Sequence, residues 1–355
     1  MNKKFIPISK QDMRERGWQE LDIILITGDA YVDHHSYGTA VIGRVLEEAG
    51  YRVGIIAQPD WHNADDFKKL GRPRLFFGIT SGNIDSMVAN YTANKKRRQT
   101  DVYSPDGEPG KRPDRALIVY ANKVREAFKD VPIVLGGLEA SMRRLSHYDY
   151  WSGKVRRSII MDAKADMIIY GMAERQIIEI AERINSGEII SEINDIRGSV
   201  VVRNDLHVLE GYKIIPSFEE VSEDKIKFNE AFKLFYEELS PKDAKSVVQK
   251  HGDKYVVQMP PDFPLTEKEL DEIYELPYER ACHPVYKKCG GVKGFNSVKD
   301  SIVSHRGCLG ECSFCGLGLH QGRMIQSRSE RSVLDEAQKM SENPNFKGIF
   351  YYKTR

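Results

Sequence analysis

The sequence predicts an α/β protein: a doubly wound parallel sheet with helices on both faces, followed by a separate, smaller unit. Three observations carry that prediction. Short aliphatic runs alternate with amphipathic helical stretches from Asp22 to about Gly187, the runs are too apolar to face water on either side, and the character of the chain changes after a proline cluster at Pro260, Pro261 and Pro264. DIILIT (22–27), YRVGIIA (51–57), PRLFFGIT (73–80), PIVLGG (132–137) and DMIIYG (166–171) each read as a buried strand, because Ile, Val, Leu and Phe dominate them and Gly, Pro or Asp bounds them. Between the first two, Val41, Ile42, Val45, Leu46 and Ala49 mark one face of a helix that stops at Gly50; after the fifth, Ala173, Ile177, Ile180, Ala181 and Ile184 mark another that stops near Gly187. The pattern places a Rossmann-like core at about 20–190 within an N-terminal domain of residues 1–295.

One long insertion interrupts the alternation. Residues 90–115 hold seven basic and four acidic residues with three prolines, and a loop of that length inside a compact domain is usually functional or disordered. A second basic stretch interleaves Arg143, Arg144, Lys154, Arg156 and Arg157 with His147, Tyr148, Tyr150 and Trp151, a mixture that can hold phosphates and stack bases or can simply form a solvated face. From Ser217 to Ser240 the chain is highly charged but keeps Val221, Phe228, Phe232, Phe235 and Leu239 at near-helical spacing, which predicts a helical connector over about 217–275. In the smaller unit, residues 296–355, DSIVS (300–304) reads as a strand, 308–323 as a Gly-rich loop, 329–340 as a helix and GIFYY (348–352) as a second strand.

The 355 residues carry 53 Lys plus Arg against 52 Asp plus Glu, so the net charge of +1 excludes a global basic field of the kind that coats nucleic acid. No apolar run approaches the roughly 20 residues needed to cross a bilayer, and the opening MNKKFIPISKQDM lacks a signal-peptide core. A cytoplasmic protein with no membrane association is expected. The five cysteines are an odd number, and three of them, Cys308, Cys312 and Cys315, fall within eight residues, which points to thiolate metal or redox chemistry rather than disulfides. Three thiolates on one tight loop suit a zinc site that imports a fourth ligand, or an iron–sulfur cluster with one iron left for a non-cysteine ligand.

Cys308, Cys312, Phe314 and Cys315 in RGCLGECSFC match C-x-x-x-C-x-aromatic-C, and in this the sequence resembles radical S-adenosylmethionine proteins. TGDAYVDHHSYG, VLGGLEASMRR, HYDYWSGKVRRS, SHRGC and HQGRMIQSRS narrow the resemblance to the YgiQ-type members of that group. The resemblance implies a [4Fe-4S] cluster on Cys308, Cys312 and Cys315, S-adenosylmethionine as cosubstrate with Phe314 packed near its adenine, and a reductant such as flavodoxin or ferredoxin. It names no substrate, for which a nucleic acid or a protein is expected. In the family the strand after the helix continues into a Gly-Gly-Pro segment, whereas this sequence reads GIFYYKTR and stops at Arg355, so a truncated partial (β/α) barrel, inactive alone, is expected.

Asp33, His35 and Gly38 form D-x-H-x-x-G after the first strand, which resembles the signature by which some cobalamin-binding domains supply an axial histidine. Ser81, Gly136 and Gly137 follow the third and fourth strands, so His34, His35, Ser81 and Gly136 should share one sheet edge. Fold resemblance alone does not establish the corrinoid, and cobalamin is not expected as a cofactor. Cys282 and Cys289, beside His283, are read as linker packing rather than an auxiliary metal site. The alternative function is a Rossmann-like ligand- or RNA-binding module with a non-catalytic cluster loop.

Overall fold

The computed structural model describes residues 5–207, 209, 211–342, 346 and 348. All five expected strands form: β1 Ile23–Thr27, β2 Val53–Ala57, β3 Phe76–Thr80, β4 Ile133–Leu135 and β5 Met167–Ile169. They pair in parallel in the order β2-β1-β3-β4-β5, with Ile23 opposite both Val53 and Phe76. Side chains alternate across a strand, and each face needs its own cover. Ile24, Ile26, Phe77 and Ile133 point to one face, packed by α2 (Ala116–Ala127) and α4 (Ile159–Ala163) through Leu117, Tyr120, Val124 and Ile160. Ile23, Leu25, Phe76 and Val134 point to the other, packed by α1 (Gly38–Glu48) and α5 (Glu174–Asn185) through Val41, Val45, Ile177 and Ile180. Burial on both faces is why these strands read as unbroken aliphatic runs. Between β4 and α4 lies the short helix α3 (Gly137–Met142).

The sheet does not end at residue 190. Four more strands extend it: β6 Ser199–Arg203, β7 Tyr212–Ile215, β8 Ser246–His251 and β9 Lys254–Gln258. The order becomes β7-β8-β9-β6-β5-β4-β3-β1-β2, with antiparallel pairs at β5–β6, β6–β9 and β9–β8 and a parallel pair at β7–β8, so the nine strands are mostly parallel. The stretch expected as a helical connector is therefore different in kind. Its helix breaks at Asp224, whose extended backbone (φ −123°) separates α6 (Phe218–Glu223) from α7 (Lys225–Glu237) and whose carboxylate caps the second by accepting from Ile226 N. The β8–β9 hairpin that follows turns at Gly252 (φ +65°) and joins the main sheet before α8 (Glu267–Glu275).

DSIVS is also corrected, because residues 301–304 are not a strand. Arginine side chains take the carbonyls a ladder would need: Arg280 donates to Ser301 O at 2.7 Å and Arg328 to Val303 O at 3.1 Å. Only His305–Arg306 pairs, antiparallel with Gln326–Ser327. Two helices follow, α9 (Leu317–His320) and α10 (Glu330–Ser341), the latter capped by Ser329 close to where the sequence placed it. GIFYY lies almost wholly outside the described residues. Among the described residues no helix is long and apolar enough to cross a membrane.

Candidate metal centre

In open parallel sheets ligands sit outside the carboxyl ends of the strands, where the strand order reverses; here that is between β1 and β3. The crevice is filled from within. Arg112, from the long insertion, donates to Ser81 O at 2.6 Å and lies 2.9 Å from Asp29 and 3.1 Å from Asp101, all fully buried. Gly28 is obligatory there, since a Cβ at that position would lie 2.2 Å from Ser81 O. The insertion is thus ordered by an ion-pair cluster that the charge count of its sequence concealed.

The carboxyl edge is covered by the C-terminal segment, held at two places. Over the end of β1, Glu336 of α10 lies 3.1 Å from His35 Nε2 and pairs with Arg280 and Arg328. Burial alone would raise Glu336, but hydrogen bonds from His35 and Arg328 and the charge of Arg280 outweigh it and hold it at about 2. His35 packs on Tyr274 and Tyr278, and His34 lies ring to ring with it at 4.1 Å. Over the ends of β4 and β5, the buried pair Arg306–Glu174 and the 2.9 Å contact of His320 Nδ1 with Ser141 Oγ tie the cysteine loop to the sheet. His34 and His35 therefore face the C-terminal layer, while Ser81 belongs to the Arg112 cluster and Gly136 opens α3. The four share the sheet's carboxyl edge but divide between these environments.

The cysteine loop closes on itself. Gly307 has φ +87°, a Cβ there would meet Met324 O at 2.1 Å, and Cys308 N donates to Gly322 O at 3.2 Å. Gly310 N donates to Cys308 Sγ at 3.3 Å, and an ideal Cβ on Gly310 would stand 3.3 Å from Cys308 Sγ and 3.6 Å from Cys312 Sγ, so those two sulfurs face one point. Cys315 N donates to Cys312 O at 3.0 Å, which turns the chain between them. All three thiols are free of disulfides, Cys312 and Cys315 are exposed, and Phe314 is 90% exposed. Among the described residues no group of three or more His, Cys, Asp or Glu is gathered tightly enough to hold a metal ion. The donor set nevertheless fits a cluster in its chemistry: three soft thiolates on a glycine-relaxed loop, one already receiving an N–H···S bond of the kind that tunes such clusters. Cys282 pairs in the short strand Ala281–Cys282 against Val32–Asp33, and Cys289 is exposed at the end of a 3₁₀ turn.

Gly307→Ala should cost more than about 1 kcal/mol locally, since both φ and space oppose a Cβ. The expected result is reduced iron uptake with an unchanged far-ultraviolet dichroism spectrum; full iron uptake would show that the loop does not need this turn.

A second expectation concerns acid. Burial depresses His147, His251 and His320 to about 4 and His34 to about 2, so all are neutral in the fold. A folded pKa below the unfolded 6.5 gives stability that is complete above pH 6.5 and lost as pH falls, at about 1.4 kcal/mol per pH unit for each group. The melting temperature should hold from pH 8 to 7 and drop between pH 6 and 5, whereas a flat profile to pH 5 would contradict the neutral buried imidazoles.

A large, mostly parallel sheet presenting a three-cysteine loop at its carboxyl edge defines the class of protein, an α/β scaffold. The chain belongs to the Radical SAM N-terminal family, whose match covers residues 5–301 and ends before Cys308. It is 54% identical over 349 residues to a UPF0313 protein of Clostridium perfringens strain ATCC 13124, covering 98% of this chain and 53% of that one. A UPF0313 protein of Clostridium botulinum strain 657 is 54% identical over 350 residues, covering 99% and 55%. The chain thus spans about half the length of the curated relatives it matches. Among solved structures, the radical S-adenosylmethionine methyltransferase TsrM from Kitasatospora setae with tryptophan substrate and the analogue aza-SAM overlays 90% of this chain and 45% of that one, at 16% identity and a TM-score of 0.49. TsrM with cobalamin and a [4Fe-4S] cluster overlays 91% and 46%, at 17% identity and a TM-score of 0.47. One expectation is corrected: cobalamin was not expected as a cofactor, and that exclusion is withdrawn, since the second TsrM structure is one with cobalamin and a [4Fe-4S] cluster bound.

Proposed function

We propose that this chain is part of a YgiQ-type radical S-adenosylmethionine enzyme in which Cys308, Cys312 and Cys315 ligate a [4Fe-4S] cluster. The observation that carries the reading is the shared facing of the Cys308 and Cys312 sulfurs on a loop docked at the carboxyl edge of the sheet. Bound there, the cluster would supply the electron that cleaves S-adenosylmethionine to a 5′-deoxyadenosyl radical. The chain's own residues prepare the place. Gly310 N–H donates to Cys308 Sγ, Glu311 pairs with Arg323 across the loop, and Arg306 and His320 fix the loop to the sheet. Phe314 offers an exposed flat face for the adenine. Residues 1–295 would then present substrate to the cluster unit begun at 296, and flavodoxin or ferredoxin would reduce it.

The basic stretches favour the enzyme over an RNA-binding module, because their charge is largely spent internally. Arg143 lies 2.6 Å from Asp85, Arg156 and Arg157 both reach Asp162 at 2.8 Å, and Arg97 lies 3.6 Å from Asp114. Anaerobic reconstitution with iron and sulfide tests the reading. A brown protein with about four irons per chain is expected; a colourless protein would overturn it.

A further inference from the structure

Among the described residues five arginines are buried to within 5% of full exclusion, and four of them meet a carboxylate: Arg44 with Asp33, Arg112 with Asp29, Arg306 with Glu174 and Arg328 with Glu336. Arg144 does not. Its guanidinium is clamped between the rings of Tyr170 and Phe235, at 4.5 and 4.8 Å from their centroids. Nε donates to Gln258 Oε1 at 2.7 Å, Nη1 donates to Ser141 O, and Nη2 has no partner. Burial lowers its pKa only to about 10, which leaves it cationic at neutral pH. Two further buried donors near it are also unsatisfied, Ser146 Oγ and Gln258 Nε2. A buried cation beside unused donors costs several kcal/mol unless an anion answers it.

Arg144 stands between two cavities. The smaller, about 90 Å³, has Asp262 paired with Arg175 and Glu174 paired with Arg306, so its charges already answer one another. The larger, about 290 Å³, has no acidic residue among the described residues that line it: Ser141, Ser146 and Gln249 lie with Arg144 among walls such as Ile215, Phe228 and Phe232. Leu319 of α9, four residues past Cys315, lines it, and the sulfur of Met142, another wall residue, would lie 3.1 Å from a Cβ on Gly316. The cavity therefore shares a wall with the cysteine loop.

We propose that this larger cavity binds a small monocarboxylate with an apolar, aromatic-sized body, its carboxylate received by Arg144. One guanidinium balances one negative charge, whereas a dianionic phosphate would leave a second charge against apolar walls. The planar fork of Arg also suits a planar carboxylate. That the ligand serves as substrate rests on the cluster reading; that it binds does not.

Calorimetric titration of the cluster-free 355-residue chain with 3-phenylpropanoate, 3-phenylpropanamide and phenyl phosphate tests it. Saturable binding of the propanoate is expected, with the amide and the phosphate each at least about tenfold weaker. Arg144→Lys should weaken the propanoate about tenfold. Phe232→Ala, at a wall position 49% exposed and so tolerant of truncation, should weaken it about fivefold with the fold intact. No saturable binding, equal binding of acid and amide, or tighter binding of the phosphate would overturn the proposal. Repeating the titration after reconstitution separates the two readings. Iron uptake without carboxylate binding removes the cavity alone, and carboxylate binding by colourless protein removes the cluster alone.

Discussion

Replacing Cys308, Cys312 or Cys315 with Ala is expected to reduce reconstituted iron from about four per chain to below about one, with loss of the visible charge-transfer absorption. The effect should be near total because the loop supplies three thiolates and a cluster already short of one protein ligand does not survive the loss of a second. Cys282→Ala provides the control: its thiol is half-buried in a two-residue strand, burial pushes its pKa up, and it should leave iron and colour largely unchanged. Iron content and the visible charge-transfer absorption measure both. Retention of the spectrum in any one of the three Ala variants would remove that residue from the ligand set.

Arg112→Met should destabilise the fold by about 3–5 kcal/mol, because it leaves Asp29 and Asp101 buried without their counter-charge. Urea unfolding measures it, and a shift of the midpoint without a change in slope is expected. The deficit has a pH signature. Burial pushes Asp29 up to about 6 even against the opposing pull of Arg112, so without Arg112 its carboxyl is raised further and takes up a proton as pH falls, which relieves the unpaired charge. The difference between Arg112→Met and the parent should therefore be larger at pH 7.5 than at pH 5.5. Adding Asp29→Asn should recover part of the loss, and a double variant as unstable as the sum of the single ones would show that the two groups do not interact.

What the sequence determined by itself is the set of elements whose signal is local. The five strands β1 to β5 are covered on both faces, so Ile23, Leu25 and their neighbours form runs with no polar interruption, and α1 and α5 carry complete apolar stripes. The cysteine spacing is likewise local, since three thiols within eight residues need no tertiary knowledge to be seen. Other features depended on partners distant in sequence. SVVVR joined the sheet only because β9, some 55 residues later, supplies its other edge, and DSIVS failed as a strand because Arg280 and Arg328 claim its carbonyls. The roles of the arginines were beyond local reading altogether. Arg112 and Arg144 look alike as members of basic stretches, yet the fold carries one to two aspartates and leaves the other between aromatic rings with a free donor. Charge in a sequence is a property of one residue, but whether that charge is neutralised, buried or available is set by which side chains the chain brings to it, and only the tertiary structure makes that choice.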